Sequence, residues 1–419
     1  MKRILKITFL LLVCLTSLVA MCSCFLVHEH YVAYIDQAEV EPTCLQIGGF
    51  YEIEYCECGH EMSRTTIEVI PATGLHDYTY DSDSGSLRCK NCKTKLECSH
   101  YNSEELSYQL SEDGTYVIIK GHYITENEST EISPYAITIP AEIGYKPVKK
   151  ISSSAFCELK NLVYIKIPSS VTSIGDSAFQ ECYSLTSVTI PDGVTSIGDR
   201  AFYNCSTLTD VYITDIAKWC EIDFGYYSNP LYYGANLYLN GELVTDLVIP
   251  DGVTSIPYMA FSGCSLLKSV SFAEGSQLTY IGSNAFQNCS RLTSIIIPDS
   301  VTHIGNDILS DTAFYSNPEN WESGVLYSGN HLIDASNDIW GALEIKAGTI
   351  TIAPRAFSEC KRITKLTIPT SVTYIGGYAF ADCTSLKDVY YAGSEEEWAA
   401  ITNNSTDDLN ATIHYNYTE

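Results

Sequence analysis

Residues 172–194 read TSIGDSAFQECYSLTSVTIPDGV, and residues 195–213 repeat the pattern as TSIGDRAFYNCSTLTDVYI. The phenylalanines of the two copies, Phe179 and Phe202, are 23 residues apart. A fixed period of roughly 20 to 50 residues is the signature of stacked repeats, in which one coil cannot bury its apolar side alone. The sequence therefore predicts a β-rich solenoid in which each coil packs against its neighbours.

Further copies of the Ala-Phe pair extend the repeat along the chain. Neighbouring copies are 23 residues apart in three cases and 25 in one, whereas two gaps span 59 and 71 residues. We interpret these gaps as inserts at residues 217–246 and 306–347, because the repeat pattern resumes after each. The landmark phenylalanines are Phe156, Phe179, Phe202, Phe261, Phe286, Phe357 and Phe380.

The inserts share a motif with the end of the chain. Trp-x-x-Ile occurs at Trp219 and again at Trp398. We expect one accessory hairpin to be used twice, once within the solenoid and once as a C-terminal cap over residues 392–419. Asn240-Gly241 between alternating apolar residues predicts a type I′ hairpin in the first insert, and residues 325–333 predict another in the second.

The residue types within one coil indicate how it folds. Leu185, Val188 and Ile190 have the spacing of a short strand that points these side chains inward and Thr189 outward. Stacking the coils turns these strands into a parallel sheet. The glycine that follows in the next copy, Gly198, is expected to allow a tight corner.

Six cysteines occupy the same position of the coil, three residues after the landmark phenylalanine. Stacked parallel strands place equivalent Cβ atoms about 4.8 Å apart, whereas a disulfide needs about 3.8 Å and converging bonds. We therefore predict free buried thiols that pack as small apolar groups. Cys157 lies outside this register, and the six are Cys182, Cys205, Cys264, Cys289, Cys360 and Cys383.

The N-terminus has the layout of an export signal. Three basic residues precede an apolar run over residues 7–20, as in a secretory signal peptide. We assign residues 1–21 to this signal. Cys22 or Cys24 would be acylated if the signal belongs to a lipoprotein, and plain secretion is the alternative.

Residues 25–100 differ in composition and contain six cysteines among many turn residues. We predict a small β-rich module held together by cross-links. Cys56, Cys58, Cys89 and Cys92 have spacings close to those of a structural zinc site, whereas export and the single residue between Cys56 and Cys58 favour disulfides, so both alternatives stay open.

Residues 101–150 follow this module, and a hairpin signal at residues 106–119 marks them as the N-terminal β cap of the solenoid. The solenoid itself is assigned to residues 151–391.

The formal net charge of −27 limits the classes of partner. Nucleic acid and anionic membranes would be repelled, so a membrane association is expected only through a lipid anchor. The acidic residues are dispersed along the repeats, which indicates a solvated surface. The sequence contains neither a nucleophile elbow nor an H-E-x-x-H metal motif, and we predict no catalytic residue.

The outward positions of the predicted strands form a polar, nearly uncharged row. Such a face with tyrosines suits extended contacts to proteins or glycans, because tyrosine offers area at low entropic cost. The alternative is that Ser, Thr and Tyr are simply good strand residues. The candidate ligand-binding face consists of Tyr164, Lys166, Thr189, Asp210, Tyr212, Ser271, Ile296, Thr367 and Tyr390.

The unit IGxxAFxxCxxLxxVxIPxxV resembles that of the BspA-type leucine-rich repeat surface proteins, which occur in bacteria and in some parasitic protists. The resemblance covers about residues 151–391, with seven near-complete copies. It implies a right-handed leucine-rich repeat solenoid at the cell surface, with adhesion to host or microbial proteins in some members.

Together these observations favour an exported, non-catalytic recognition scaffold that binds a host or microbial surface protein, matrix protein or glycan. One alternative is a structural stalk that presents the N-terminal module. A weaker alternative is a metal-dependent enzyme built from the cysteines of that module.

Overall fold

The computed structural model describes the backbone of strands between residues 32 and 101, and residues 106–122, 135–402 and 409–417 in full. The chain divides into two compact units, Met1–Glu97 and Cys98–Glu419. In the first unit, two antiparallel sheets of three strands each are described. Their strands are Val32–Val40, Gly48–Cys56 and Glu61–Ile70, and Tyr78–Asp81, Ser86–Cys89 and Lys95–Leu96.

The second unit is a leucine-rich repeat β-solenoid of about 12 turns of roughly 23 residues, as predicted. Each regular coil contributes one strand to each of two parallel ladders. Ladder A contains the strands predicted from the Leu-x-x-Val-x-Ile spacing. Its strands are Ser99–Tyr101, Tyr135–Thr138, Leu162–Lys166, Ser187–Thr189, Asp210–Ile213, Asn236–Leu239, Asp246–Ile249, Ser269–Phe272, Ser294–Ile295, Gly341–Glu344, Ile363–Ile368, Asp388–Tyr391 and Thr412–His414.

Ladder B contains mostly two-residue strands around the Ile-Gly step of the repeat. Its strands are Val117–His122, Lys146–Ile151, Ser173–Ile174, Ser196–Ile197, Asp223–Phe224, Ser255–Ile256, Tyr280–Ile281, His303–Ile304, His331–Ala335, Thr351–Ile352 and Tyr374–Ile375. Antiparallel strands flank the two ladders at Leu106–Leu110, Glu142–Ile143, Glu242–Leu243, Trp321–Glu322 and Val325–Ser328. Among the described residues, the helices are Ile216–Cys220, Ala313–Ser316 and Glu395–Ala399, with a 3₁₀ turn at Pro318–Asn320.

The landmark phenylalanines form the centre of the solenoid. Phe179 is fully buried and stacks on Phe156 and Phe202 with ring centroids 5.4 and 5.0 Å away. Equivalent stacks join Phe261 to Phe286 and Phe357 to Phe380. The predicted interior role of this residue is therefore confirmed.

The segment that carries the phenylalanine, between ladder B and ladder A, is named the turn edge. In each regular coil two residues on this edge have a left-handed backbone, as at Ser177 (φ 54°) and Glu181 (φ 62°). Non-glycine residues rarely adopt this conformation, which costs about 1–2 kcal/mol. The stacking of the coils must offset that cost.

The glycine of the Ile-Gly step has a different role from the one expected. Gly198 does not have a positive φ, but a Cβ built there would lie 2.6 Å from the backbone nitrogen of Asp176 in the preceding coil. The residue is glycine because two backbones meet at this point. A tight corner is not the reason.

The first predicted insert is a coil of the solenoid, with only its hairpin outside the regular pattern. Asp223–Phe224 continues ladder B beside Ser196–Ile197, and Asn236–Leu239 continues ladder A beside Asp210–Ile213. The Asn240-Gly241 hairpin is confirmed, with φ of 53° and 88°. The second predicted insert likewise supplies one strand to each ladder, and its hairpin at Val325–Ser328 and His331–Ala335 is also confirmed.

The Trp-x-x-Ile segments at Trp219 and Trp398 form equivalent coils. Each tryptophan is buried in a short helix that follows a ladder A strand. Each coil then returns to ladder A, at Asn236–Leu239 and at Thr412–His414. The motif thus marks a variant coil that occurs twice in the described array.

The eight cysteines in the described part of the solenoid are free, in agreement with the packing prediction. Four thiols on the turn edge donate to the carbonyl of the landmark phenylalanine one coil back. Cys205 Sγ, for example, lies 3.0 Å from Phe179 O. Burial raises the pKa of the Cys205 thiol to about 12, so the thiols act as weak donors inside the core.

Gly376→Ala is expected to lower the free energy of unfolding by about 1–3 kcal/mol, because its Cβ would lie 2.5 Å from the Cα of Pro354. Gly377→Ala is the matched control, since nothing lies within 4 Å of that Cβ, and should change it by less than about 0.5 kcal/mol. Chemical denaturation of both variants measures the difference. Equal effects would contradict the close-approach explanation.

We also predict that N-ethylmaleimide labels Cys205 on the order of 100-fold more slowly than the partly exposed Cys157 in the native chain. Peptide mass spectrometry after timed labelling gives both rates in one sample. A disulfide-linked peptide containing Cys205, or similar rates at the two positions, would be inconsistent with the buried-thiol arrangement.

Candidate functional site

The outward side chains of ladder A form the predicted ligand-binding face, here called the strand face. Pairing aligns Tyr164, Ser187 and Asp210 in one row and Thr189 with Tyr212 in a second. Two breaks in ladder A divide this face into three parts, whose last strands end at residues 239, 295 and 414. The nine predicted residues therefore lie in three groups.

The first group contains Tyr164, Lys166, Thr189, Asp210 and Tyr212. Lys166 and Thr189 are exposed, and Tyr164 and Tyr212 are half-buried. Asp210 is only 6% exposed, so it is far less available to a ligand than the sequence suggests.

A neighbouring coil completes this group with residues that the sequence analysis did not identify. Tyr238 stacks on Tyr212 with ring centroids 4.8 Å apart and an interplanar angle of 23°. Beside them, Asn236 Nδ2 donates to Asp210 Oδ1 at 3.2 Å. Stacking thus holds the two tyrosine rings together as one aromatic surface.

The third group contains Thr367 and Tyr390, both half-buried. His414 stacks on Tyr390 at 4.5 Å, and Lys365 Nζ lies 4.0 Å above the Tyr390 ring. Asp388 Oδ1 is 2.8 Å from His414 Nε2. The last coil therefore builds a second aromatic cluster around Tyr390.

The two clusters occupy the same place in the repeat. Tyr212 and Tyr390 each lie in the coil before a Trp-x-x-Ile coil, and Tyr238 and His414 are the equivalent residues of those following coils. The match between the Trp219 and Trp398 segments was the sequence signal for this equivalence. The structure adds that the paired rings stack.

The second group contains Ser271 and Ile296 and differs from the others. Ile296 is 71% exposed, and both residues line an open groove of about 710 Å³ with Phe272, Gln277 and Pro298. The loop that forms one wall of the groove belongs to the coil between Phe261 and Phe286, which is 25 residues long and not 23. The exposed Ile296 makes this group partly apolar.

Side chains replace the missing strand pairing at the end of this group. Ser328 Oγ donates to Ile295 O at 3.0 Å and accepts from Ile297 N at 3.2 Å. The buried ring of His331 lies 2.9 Å from Thr351 Oγ1 and 3.1 Å from Pro298 O. These contacts join the second and third parts of the solenoid.

Side-chain hydrogen bonds also take the place of strand pairing between the first and second parts of the solenoid. Asn229 Nδ2 donates to the carbonyls of Met259 and Ala260 at 2.6 and 3.0 Å. The indole Nε1 of Trp219 donates to Ala260 O at 2.9 Å. The array therefore continues across both breaks through buried side chains.

A tyrosine-rich patch lies on the turn edge, away from the strand face, and was not predicted. Neighbouring rings are 4.1 to 6.3 Å apart, and Tyr226 is 53% exposed. The paired tyrosines of the sequence YYSNPLYY were its signal. Its members are Tyr203, Tyr226, Tyr227, Tyr232 and Tyr233.

The predicted metal or disulfide residues lie in the N-terminal unit. Cys56 ends the strand Gly48–Cys56 and Cys89 ends Ser86–Cys89, in different sheets. Cys58 and Cys92 lie outside the described residues. The choice between zinc and disulfides stays a prediction.

The residues assigned to export and lipidation, 1–21, Cys22 and Cys24, also lie outside the described residues. Within the part of the chain that is described, none of the helices is long and apolar enough to span a membrane. Within the same residues, no group of three or more His, Cys, Asp or Glu side chains could hold a metal ion.

Comparison with known families decides the assignment of the repeats. Six copies of the BspA type leucine rich repeat region match residues 133–227, 233–325 and 340–407. The chain belongs to the BspA-type leucine-rich repeat family. No curated protein sequence matches it significantly.

Solved structures of other leucine-rich proteins are similar to this BspA-type chain. A leucine rich cell surface protein of Faecalibacterium prausnitzii is 27% identical, with 76% of this chain and 95% of that chain covered and a TM-score of 0.40. A leucine-rich repeat protein of Bacteroides ovatus is 22% identical over 75% and 76%, with a TM-score of 0.40. Since both TM-scores are below 0.5, the family assignment rests on the repeat match.

For this BspA-type protein we predict that acid weakens the junction at His331. Burial lowers the pKa of the imidazole, against a smaller opposing effect of the Pro298 carbonyl and Asp299. The His331 imidazole is therefore protonated less readily in the folded chain than in the unfolded chain, so the stability of the fold decreases as the pH drops below about 6.5.

Thermal unfolding between pH 7.5 and 5 measures this effect in the unaltered chain and in His331→Gln. Glutamine can still donate to Pro298 O and accept from Thr351, but it does not titrate. The variant should lose part of the pH dependence. If the unfolding temperature changes equally with pH in both chains, His331 does not contribute to the pH dependence.

Proposed function

We propose that this chain is an exported cell-surface recognition scaffold that adheres to host or microbial proteins or glycans through its strand face, without catalysis of its own. Membership of a family of bacterial surface proteins supports the location. The export signal assigned to residues 1–21 supports it independently.

The observation that carries the proposal is the pair of equivalent aromatic clusters on the strand face. In each, a tyrosine is held by a stacked neighbour, Tyr212 by Tyr238 and Tyr390 by His414. An aromatic side chain that is already ordered loses little entropy when it contacts a partner. Rings fixed in this way favour binding over a purely structural role for these strand residues.

The composition of the face indicates the kind of partner. Hydroxyl and aromatic groups predominate, and the nearby carboxylates Asp210 and Asp388 are engaged by Asn236 and His414. Sugar hydroxyls and the polar side chains of proteins can bond to such groups, whereas a polyanion would meet a strongly acidic molecule. Proteins and glycans are therefore the proposed ligands.

A structural stalk that presents the N-terminal unit is the second candidate. The separation of Met1–Glu97 as a compact unit favours it. In that case binding would depend on the first unit and would be indifferent to the strand face. One set of variants can separate the two functions.

We predict that the full mature chain binds at least one member of a panel of immobilised matrix proteins, mucins and glycans, and that the double variant Tyr212→Ala, Tyr390→Ala binds about 10-fold or more weakly. Surface plasmon resonance measures both affinities. Removing the rings deletes the contact area and frees their stacking partners.

Tyr226→Ala, Tyr233→Ala is the matched control, because it removes two exposed tyrosines from the turn edge of the same solenoid. Its affinity should equal that of the unaltered chain. Binding that survives the strand-face variant would favour the stalk, and binding lost only in the control variant would move the site to the turn edge.

A further inference from the structure

One coil of the solenoid has a shortened turn edge. In a regular coil twelve residues, 175–186, connect ladder B at Ser173–Ile174 to ladder A at Ser187–Thr189. In the coil of the second predicted insert only five residues, 336–340, connect His331–Ala335 to Gly341–Glu344. This coil therefore lacks the landmark phenylalanine and the turns around it.

The shortened segment leaves a notch in the turn edge between its neighbouring coils. The notch has a volume of about 340 Å³, within the range of small-molecule and side-chain sites. The chain before the coil, which includes the helix Ala313–Ser316, covers one side. The notch is lined by Tyr315, Trp321, Asp334, Ser336, Asn337 and Ser358.

Asp334 provides a carboxylate inside the notch. Its Oδ2 accepts a hydrogen bond from Tyr315 Oη at 2.5 Å, and its Oδ1 accepts from the Ala335 amide at 2.8 Å. Each carboxylate oxygen can accept a further bond. Among the fully described residues, no Lys, Arg or His nitrogen lies within 4.0 Å of it, so the charge lacks a cationic partner.

Two aromatic rings stand beside this carboxylate. Tyr315 and Trp321 are 5.3 Å apart with an interplanar angle of 83°. The Trp321 indole is fixed because its Nε1 donates to Tyr315 O at 2.8 Å. A cation near the carboxylate would therefore contact aromatic surface that is already in position.

We propose that this notch binds the guanidinium group of an arginine side chain presented by a partner protein. A guanidinium is planar, stacks on aromatic rings and donates in a fork that fits a carboxylate, and it is less strongly hydrated than an ammonium group. The polar side chains of Ser336, Asn337 and Ser358 can bond to the peptide that carries it. This site is separate from the strand face.

The chain's own arginine near this region does not fill the site. Arg355 lines a narrower adjoining space of about 50 Å³ with Asp307 and Asp334, but it makes no ion pair with Asp334. It is exposed, and its backbone is left-handed with φ of 60°. An external guanidinium therefore has an available carboxylate.

The test uses the full chain labelled with 5-fluorotryptophan, which gives one ¹⁹F signal for each of the four tryptophans. Acetyl-Gly-Arg-Gly-amide should shift the Trp321 signal saturably, with a dissociation constant on the order of 1 mM. The buried Trp219 and Trp398 are internal references. The citrulline peptide, a neutral analogue, should produce no saturable shift.

Asp334→Asn should weaken arginine binding by about 10-fold or more, a change of about 1.4 kcal/mol in binding free energy. Asp338→Asn removes an exposed carboxylate four residues away and should leave it unchanged. In the unaltered chain, affinity should also fall with decreasing pH, because burial raises the pKa of Asp334. This second measurement remains decisive if Asp334→Asn does not fold.

Any one of four results would overturn the proposal: no saturable shift, equal binding of the citrulline peptide, pH-independent binding, or unchanged affinity in Asp334→Asn. N-propylguanidine should bind more weakly than the arginine peptide. Tighter binding of that free guanidine would assign the notch to a small molecule and not to a partner protein.

Discussion

The close approach of successive backbones at the Ile-Gly step controls the rest of this solenoid. Any Cβ at these positions would overlap the backbone of the preceding coil, so the spacing and register of the coils are fixed there. That register brings the phenylalanine rings into stacks and the thiols to carbonyls. It also places the outward side chains of ladder A in straight rows. The glycines are Gly175, Gly198, Gly282, Gly305 and Gly376.

Much of this fold was predictable because the same residue types recur at the same step of each coil. The stacked phenylalanines, the inward Leu, Val and Ile and the free thiols all follow from a period of 23 residues and the distance between neighbouring strands. The two long gaps were misinterpreted as inserts because their coils join the ladders through backbone hydrogen bonds, as at Asp223–Phe224. Those bonds do not require the Ala-Phe pair.

The candidate face was predicted as one row, and the structure divides it into three groups. The breaks depend on individual side chains, Asn229 at one and Ser328 with His331 at the other, whose contacts are distant in sequence. The ring partners Tyr238 and His414 belong to variant coils that the repeat pattern did not align. The notch at Asp334 exists because the shortened coil lacks residues, and missing residues leave no motif from which a site could be predicted.

The central claim, that the strand face recognises the partner, is tested most directly by site-specific photo-cross-linking. p-Benzoylphenylalanine would replace Thr189, which is exposed beside Tyr212, or Tyr145, which is 98% exposed beside ladder B. On irradiation with matrix proteins and mucins, the account predicts covalent capture from position 189 and little from position 145. Capture from position 145 alone, or equally from both, would contradict it.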